Sequence, residues 1–221
     1  MNPGVTTLRI AITFVLSAAS LGAQQAISIA PSGLTPLRVL VSEVQHAGRS
    51  ASRLVEVDDK RSGGIALVNG QTFRDGTIEV DVAGRRGQYA APDDRGFIGV
   101  AFRISADRRT WEEIYLRPEN GRAADQVRRN HSIQYASIPD FPWPRMRKEF
   151  PEKYESYVDL VPGEWTRMRI EVSGTSARLF VNGASQPNLV VSDLKHGLSE
   201  GGVALWIGSG TEGFFSNLRI R

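Results

Sequence analysis

The 221 residues predict an all-β fold, a jelly-roll β-sandwich of two antiparallel sheets, and three observations carry that prediction. At least eight short runs alternate apolar and polar side chains, the period of a half-buried strand. Turn formers, among them Arg74-Asp75-Gly76, Asn182-Gly183 and Ser199–Gly202, separate the runs at short intervals. Helical periodicity is nearly missing. Sandwiches commonly reach this length as a single domain, and a chain of this size buries roughly 70% of its unfolded surface, so it folds without staples. The count of zero cysteines fits, and it removes thiol catalysis, thiolate metal sites and disulfides together.

The first residues, MNPGVTTLRIAITFVLSAASLGAQQ, place a lone Arg9 before the apolar run Ile10–Leu16, with small residues leading to Ala23. This layout predicts a secretory signal peptide over residues 1–23. The run is far shorter than the roughly 20 residues a span requires, so the expected product is exported, periplasmic or extracellular, with no membrane attachment after cleavage. No cysteine is available for a bacterial-type lipid anchor. Loss of Arg9 would leave 26 of the 27 basic residues against 24 acidic ones. The doublets Arg85/Arg86, Arg108/Arg109 and Arg128/Arg129 are scattered, and Arg145, Arg147, Lys148 and Lys153 alternate with Glu149, Glu152 and Glu155, so no nucleic-acid partner is predicted.

Residues 24–60 read as an N-terminal linker with a first strand or two, punctuated by Pro31 and Pro36; the sandwich domain is predicted over 61–221. Ile78, Val80 and Val82 alternate with Thr77, Glu79 and Asp81, a strand entered through the turn at Gly76. A glycine-rich loop comes next. Phe97–Arg103 and Trp111–Arg117, joined by a polar connection, form a predicted hairpin: Ile98, Val100 and Phe102 lie on the core side with Glu112, Ile114 and Leu116, and Gly99, Ala101 and Arg103 lie on the other with Trp111, Glu113, Tyr115 and Arg117. Pro118–Gly163 is the least regular stretch. Its prolines 139, 142, 144, 151 and 162 rule out a long helix or a central strand there, although His131–Ser137 has strand character. Phe141, Trp143, Phe150, Tyr154 and Tyr157 are expected to pack this segment down as a lid, because ordered loops of such length are usually functional. Strand text resumes at Glu164 and continues to Arg221, with Trp165 and Trp206 assigned to packing.

The hairpin supplies the candidate site. Arg103, Glu113, Tyr115 and Arg117 place polar groups of both signs around an aromatic ring on one face, as ligand-facing sheets do. The alternative is a surface ladder of cross-strand charges, each pair contributing roughly 0.2–1 kcal/mol. Asn130, His131 and Gln134 add donors and acceptors suited to hydroxyl-rich ligands, with strand-edge satisfaction as the alternative, above all for Asn130. Trp143, between two prolines, is either a stacking platform or a core plug. Glu112 and Glu113 point to opposite sides of the pleat and cannot act as a catalytic pair. No catalytic residue is assigned. His46, His131 and His196 lack metal-ligand spacing, and Asp58/Asp59 and Asp93/Asp94 read as turn chemistry.

Thr72–Gly84, Phe97–Ile104 with Trp111–Pro118, Gly163–Gly183 and Gly213–Ile220 together resemble the concanavalin A-like lectin/glucanase superfamily, and within it the laminin-G-like and 3-keto-disaccharide-hydrolase-like jelly rolls. The resemblance spans about residues 60–221. It implies a concave sheet that binds carbohydrate on its face or rim loops, needs no cofactor, and leaves room for a structural calcium held by distant loops. Glycoside hydrolases of this superfamily carry E-x-D-x-x-E on one strand; Glu79 and Asp81 match its first two positions, but position 84 is Gly, which removes the acid/base, so both read as the solvent face of a strand. The expectation is an exported carbohydrate-binding or glycan-associated protein. Alternatives are an enzyme of the 3-keto-glycoside hydrolase or lyase kind, with Glu113 or His131 as base, and a protein-interaction module, which would show a flat apolar patch.

Overall fold

The computed structural model describes residue 1 and residues 26–221; the predicted signal segment, beyond its first residue, lies outside the described residues. In chain order the strands are β1 (Leu34–Leu37), β2 (Val39–His46), β3 (Arg49–Glu56), β4 (Gly64–Val68), β5 (Gly76–Arg86), β6 (Ile98–Ile104), β7 (Trp111–Leu116), β8 (Ile133–Ile138), β9 (Glu155–Ser156), β10 (Thr166–Ser173), β11 (Ser176–Val181), β12 (Leu189–Val191), β13 (Gly202–Ile207) and β14 (Thr211–Ile220). Three short helices, α1 (Pro118–Gly121), α2 (Gln126–Asn130) and α3 (Trp143–Glu149), interrupt the segment between β7 and β10.

Two seven-stranded sheets result, ordered β1-β4-β13-β6-β7-β8-β9 and β12-β11-β10-β5-β14-β3-β2, and every strand pairing in them is antiparallel. Their inner faces share one apolar core. Ile98, Val100, Phe102, Ile114 and Leu116 of the first sheet pack in it with Ile78, Val80, Val82, Met168, Ile170 and Phe215 of the second. Each such side chain contributes roughly 1.5–3 kcal/mol on burial, enough to select the pairing register, because a slip by one residue would turn the whole set to solvent.

Residues 34–56 are part of this sandwich. β1 pairs with β4, and the β2–β3 hairpin completes the second sheet, so no domain boundary falls near residue 60. The two prolines that suggest a linker have structural places instead. Pro31 opens a 3-10 turn, and Pro36 lies in β1, an edge strand with no neighbour on one side, where a missing N–H is tolerated.

The irregular segment is divided in use. Met146, Tyr154 and Leu160 are buried in the core, with Phe141 and Phe150 packed against it, while Trp143 and Tyr157 stay exposed. Prolines start α3: Pro142 is its N-cap and Pro144 sits in the first turn, where no N–H is missed. The segment is therefore not a flap over the whole sheet. One short helix overhangs the edge formed by β8 and β9, and its register carries Trp143 and Arg147 toward Arg117.

Candidate functional site

Two rows of side chains cross the outer face of the first sheet. The register places Ala204, Ala101, Glu113 and Ala136 side by side, and beside them Trp206, Gly99, Tyr115, Gln134 and Glu155. Gly99 lets the second row close up: a Cβ there would come within 2.6 Å of the Tyr115 Cα. Over this gap the Tyr115 and Trp206 rings pack with centroids 4.6 Å apart. Trp206, expected only to pack, thus does so on the site face.

Within the first row, Glu113 is the one carboxyl among alanines. Its Oε2 accepts from Trp111 Nε1 at 2.8 Å. Burial pushes its pKa up to about 7, Glu112 adds to the rise, and the indole hydrogen bond opposes it. Glu112 itself faces inward and accepts from Tyr135 Oη and the His196 backbone N–H, as the pleat predicts.

Arg117 organises the second row. Its Nη2 donates to Tyr115 Oη at 3.1 Å and Gln134 Oε1 at 3.0 Å, and its Nη1 to Glu155 Oε1 at 2.9 Å and the His131 carbonyl at 3.1 Å. Gln134 is fixed in turn, since its Nε2 donates to the Tyr135 and Tyr154 carbonyls. Arg147 reaches down from α3 to both oxygens of Glu155. Burial pushes Glu155 up, but the Arg147 hydrogen bond and the Arg117 charge outweigh it, and its pKa lies below the ordinary value. Tyr115 is raised to about 12, chiefly by burial. His131 has Nε2 3.7 Å from Glu155 Oε2; burial lowers its pKa despite that carboxylate, which favours the neutral imidazole.

This network opens on a cavity of about 330 Å³ lined by Phe97, Arg117, Asn120, His131, Trp143 and Arg147, with further side chains from the Arg61, Asp93–Arg95 and Arg128 regions. That volume is at the lower end of the range for small-molecule sites, about 300–1,000 Å³. Trp143 stands at its mouth, 45% exposed, with the Arg117 and Arg147 guanidinium carbons 5.8 and 4.9 Å from its ring centroid. Asn120 is 5% exposed; its Nδ2 donates to the His131 carbonyl, and its buried Oδ1 has no partner. A buried acceptor left open costs about 1–3 kcal/mol unless something donates to it.

Of the residues singled out from sequence, Arg117, His131 and Trp143 line this cavity, with Tyr115 and Gln134 holding Arg117 from behind. Glu113 lies one row away on the same face. Arg103 does not join them, and this corrects the expected face. A bulge between β6 and β13 inserts a residue, Arg103 adopts φ 53°, and its buried guanidinium donates to the carbonyls of Arg74, Gly174 and Gly197 and to Asp75. Asn130 is also apart, exposed at the end of α2 and accepting from Gln126. Pattern reading missed Asn120, Arg147 and Glu155. The first is an unremarked loop residue in sequence; the other two sit eight residues apart in a mixed-charge segment that looks like solvated surface.

On the opposite outer face, Asp81 is not solvent-facing as expected. It is buried beneath Arg49, Arg167 and Asn217, which occupy both carboxylate oxygens. Gly84 is where it is because a Cβ would come within 2.6 Å of the Ile98 side chain. Among the described residues no group of three or more His, Asp or Glu is arranged to hold a metal ion, and no helix is long and apolar enough to cross a membrane.

Residues 43–221 match the family described as the 3-keto-alpha-glucoside-1,2-lyase-like domain. Among solved structures the fold is similar to the carbohydrate-binding module CBM66 from Bacillus subtilis (TM-score 0.58, 13% identity, 84% of this chain and 93% of that one). It is also similar to a Bacillus subtilis protein of unknown function with a galectin-like fold (TM-score 0.53, 12% identity, 83% and 88%) and to the cellulose-induced protein Cip1 (TM-score 0.52, 11% identity, 86% and 91%). No curated protein sequence matches the chain.

Proposed function

This chain belongs to the 3-keto-alpha-glucoside-1,2-lyase-like domain family, and on that premise we propose that it is an exported protein that binds a glycan in the cavity beneath α3. The observation that carries the reading is the meeting, in one opening, of an exposed indole and a buried unpaired acceptor. Trp143 offers a flat apolar surface for a sugar ring, and Asn120 Oδ1 an acceptor for a hydroxyl. His131 and Arg117 supply further polar contacts whose positions are set by the hydrogen bonds behind them. The leader-like pattern of residues 1–23 supports export.

Titration of the protein with neutral oligosaccharides, followed by tryptophan fluorescence and calorimetry, tests this. Trp143→Ala should weaken binding about tenfold, the scale of an aromatic contact, with an unchanged melting temperature because the ring is exposed. If the wild-type protein binds no carbohydrate across plant, microbial and host oligosaccharides, the reading is overturned.

Family membership and the neutral imidazole at the cavity wall favour a second reading, elimination from a 3-keto glycoside. The ketone acidifies the C2 proton. His131 would remove it, the C2–H electron pair would form the C1=C2 bond, and the C1–O bond would break with its oxygen taking up a proton. Turnover of a 3-keto glucoside that disappears in His131→Gln while binding persists would support this step.

A further inference from the structure

We infer that the glycan taken by this cavity carries an anionic substituent, a uronate carboxylate or a sulfate ester, held by Arg95 and Arg128. The inference deepens the glycan reading and rests on it. Five guanidinium groups line the opening, from Arg61, Arg95, Arg117, Arg128 and Arg147. They are not equally neutralised. Arg61 is paired with Asp94 at 2.9 Å and lies 3.6 Å from Asp93, and Arg117 and Arg147 share Glu155. That sets five positive charges against three negative ones.

The excess sits at Arg95 and Arg128. Arg95 donates to the carbonyl oxygens of Pro92 and Asp94 and to no carboxylate, and Arg128 has no ion pair among the described residues. Both line the one opening, and they are close enough to oppose one another: burial first, then the charges of Arg128 and Arg86, lower the pKa of Arg95, and Asp93 and Asp94 offset them only in part. A neutral sugar would leave that repulsion in place. An anionic oxygen group relieves it, and the planar guanidinium fork suits both carboxylate and sulfate. Trp143 and Asn120, which line the same opening, are left for the hydroxyl-bearing part of the ring.

The test compares matched ligands on the full chain. An oligogalacturonide is set against its methyl ester, and a sulfated oligosaccharide against its desulfated form, by calorimetry at low and high salt. In at least one pair the charged member should be preferred about tenfold, the scale of a charge-assisted hydrogen bond, and the preference should shrink with salt. Which pair responds distinguishes carboxylate from sulfate. Arg128→Gln, an exposed side chain whose loss does not threaten folding, should reduce the charged-to-neutral ratio toward one, and Arg95→Gln should do the same. Equal affinity for charged and neutral members of both pairs overturns the inference and leaves the glycan reading standing. Failure of the protein to bind any carbohydrate overturns both.

Discussion

Arg103 lies in β6 and Arg117 directly follows the neighbouring β7; both are nearly buried, 3% and 4% exposed, and they alternate on paper onto one face. Their surroundings separate them. Arg103 donates to three main-chain carbonyls from three different loops plus Asp75, so its charge ties together one end of the sandwich. Arg117 donates mainly to side chains, Tyr115, Gln134 and Glu155, and beside it lie an exposed indole and an acceptor without a donor. Burial of a charged group therefore marks neither architecture nor function. The informative question is whether its partners satisfy every polar group or leave polar capacity facing an opening.

The comparison breaks most visibly at Arg103. Arg103→Ala would orphan carbonyls at Arg74, Gly174 and Gly197, and we expect a loss of about 3–5 kcal/mol in denaturant unfolding, with glycan affinity per folded molecule little changed. A loss under about 1 kcal/mol would mean the loops are held by something else.

Glu113, midway between the two ends, gives the next largest effect and does so through pH. Its folded pKa of about 7 exceeds the ordinary 4.5, so the folded state binds the proton more tightly than the unfolded chain. Stability is full below about pH 4.5 and declines as pH rises toward 7, by about 3 kcal/mol for this group. Glu113→Gln keeps an acceptor for Trp111 and abolishes the titration. Its stability relative to wild type should therefore climb between about pH 4 and about pH 8. A pH-independent difference would show that Glu113 is not desolvated.

Arg117→Met leaves Gln134 Oε1 without its donor and should cost about 2–3 kcal/mol, the least of the three, because Glu155 keeps Arg147 and the His131 carbonyl keeps Asn120. Its effect belongs in binding: glycan affinity should fall at least as far as in Trp143→Ala. If unfolding suffers more from Arg117→Met than from Arg103→Ala, the contrast between the two ends is reversed.

Strand alternation, the hairpin pairing and the inward set Ile98, Val100, Phe102, Ile114 and Leu116 are readable from the sequence, because burial on one face leaves a period of two. The bulge at Arg103 is not. One inserted residue with left-handed backbone has no side-chain signature when that residue is arginine, and it inverts the face of its successor: Ile104, nominally inward, packs on the outer cluster with Ala101 and Trp111. The site is half readable. Tyr115, Arg117 and Gln134 lie on or beside paired strands, where neighbours are set by register. Arg147 and Glu155 meet through the placement of a seven-residue helix, which no periodicity announces.

The strand order of the second sheet bears on how the molecule is made. The β2–β3 hairpin joins the rest of its sheet through β14 alone, and the ion pair that bridges them, Arg53 with Glu212, joins positions 159 residues apart. A chain that emerges N-terminus first, from the ribosome or across a membrane, thus releases this hairpin long before its neighbour, and its unpaired edge must wait for the last strand of the sandwich. Such non-local closure makes assembly slow and leaves a sticky nascent intermediate, so yield in a producing cell should depend more on chaperone supply than on the stability of the finished domain.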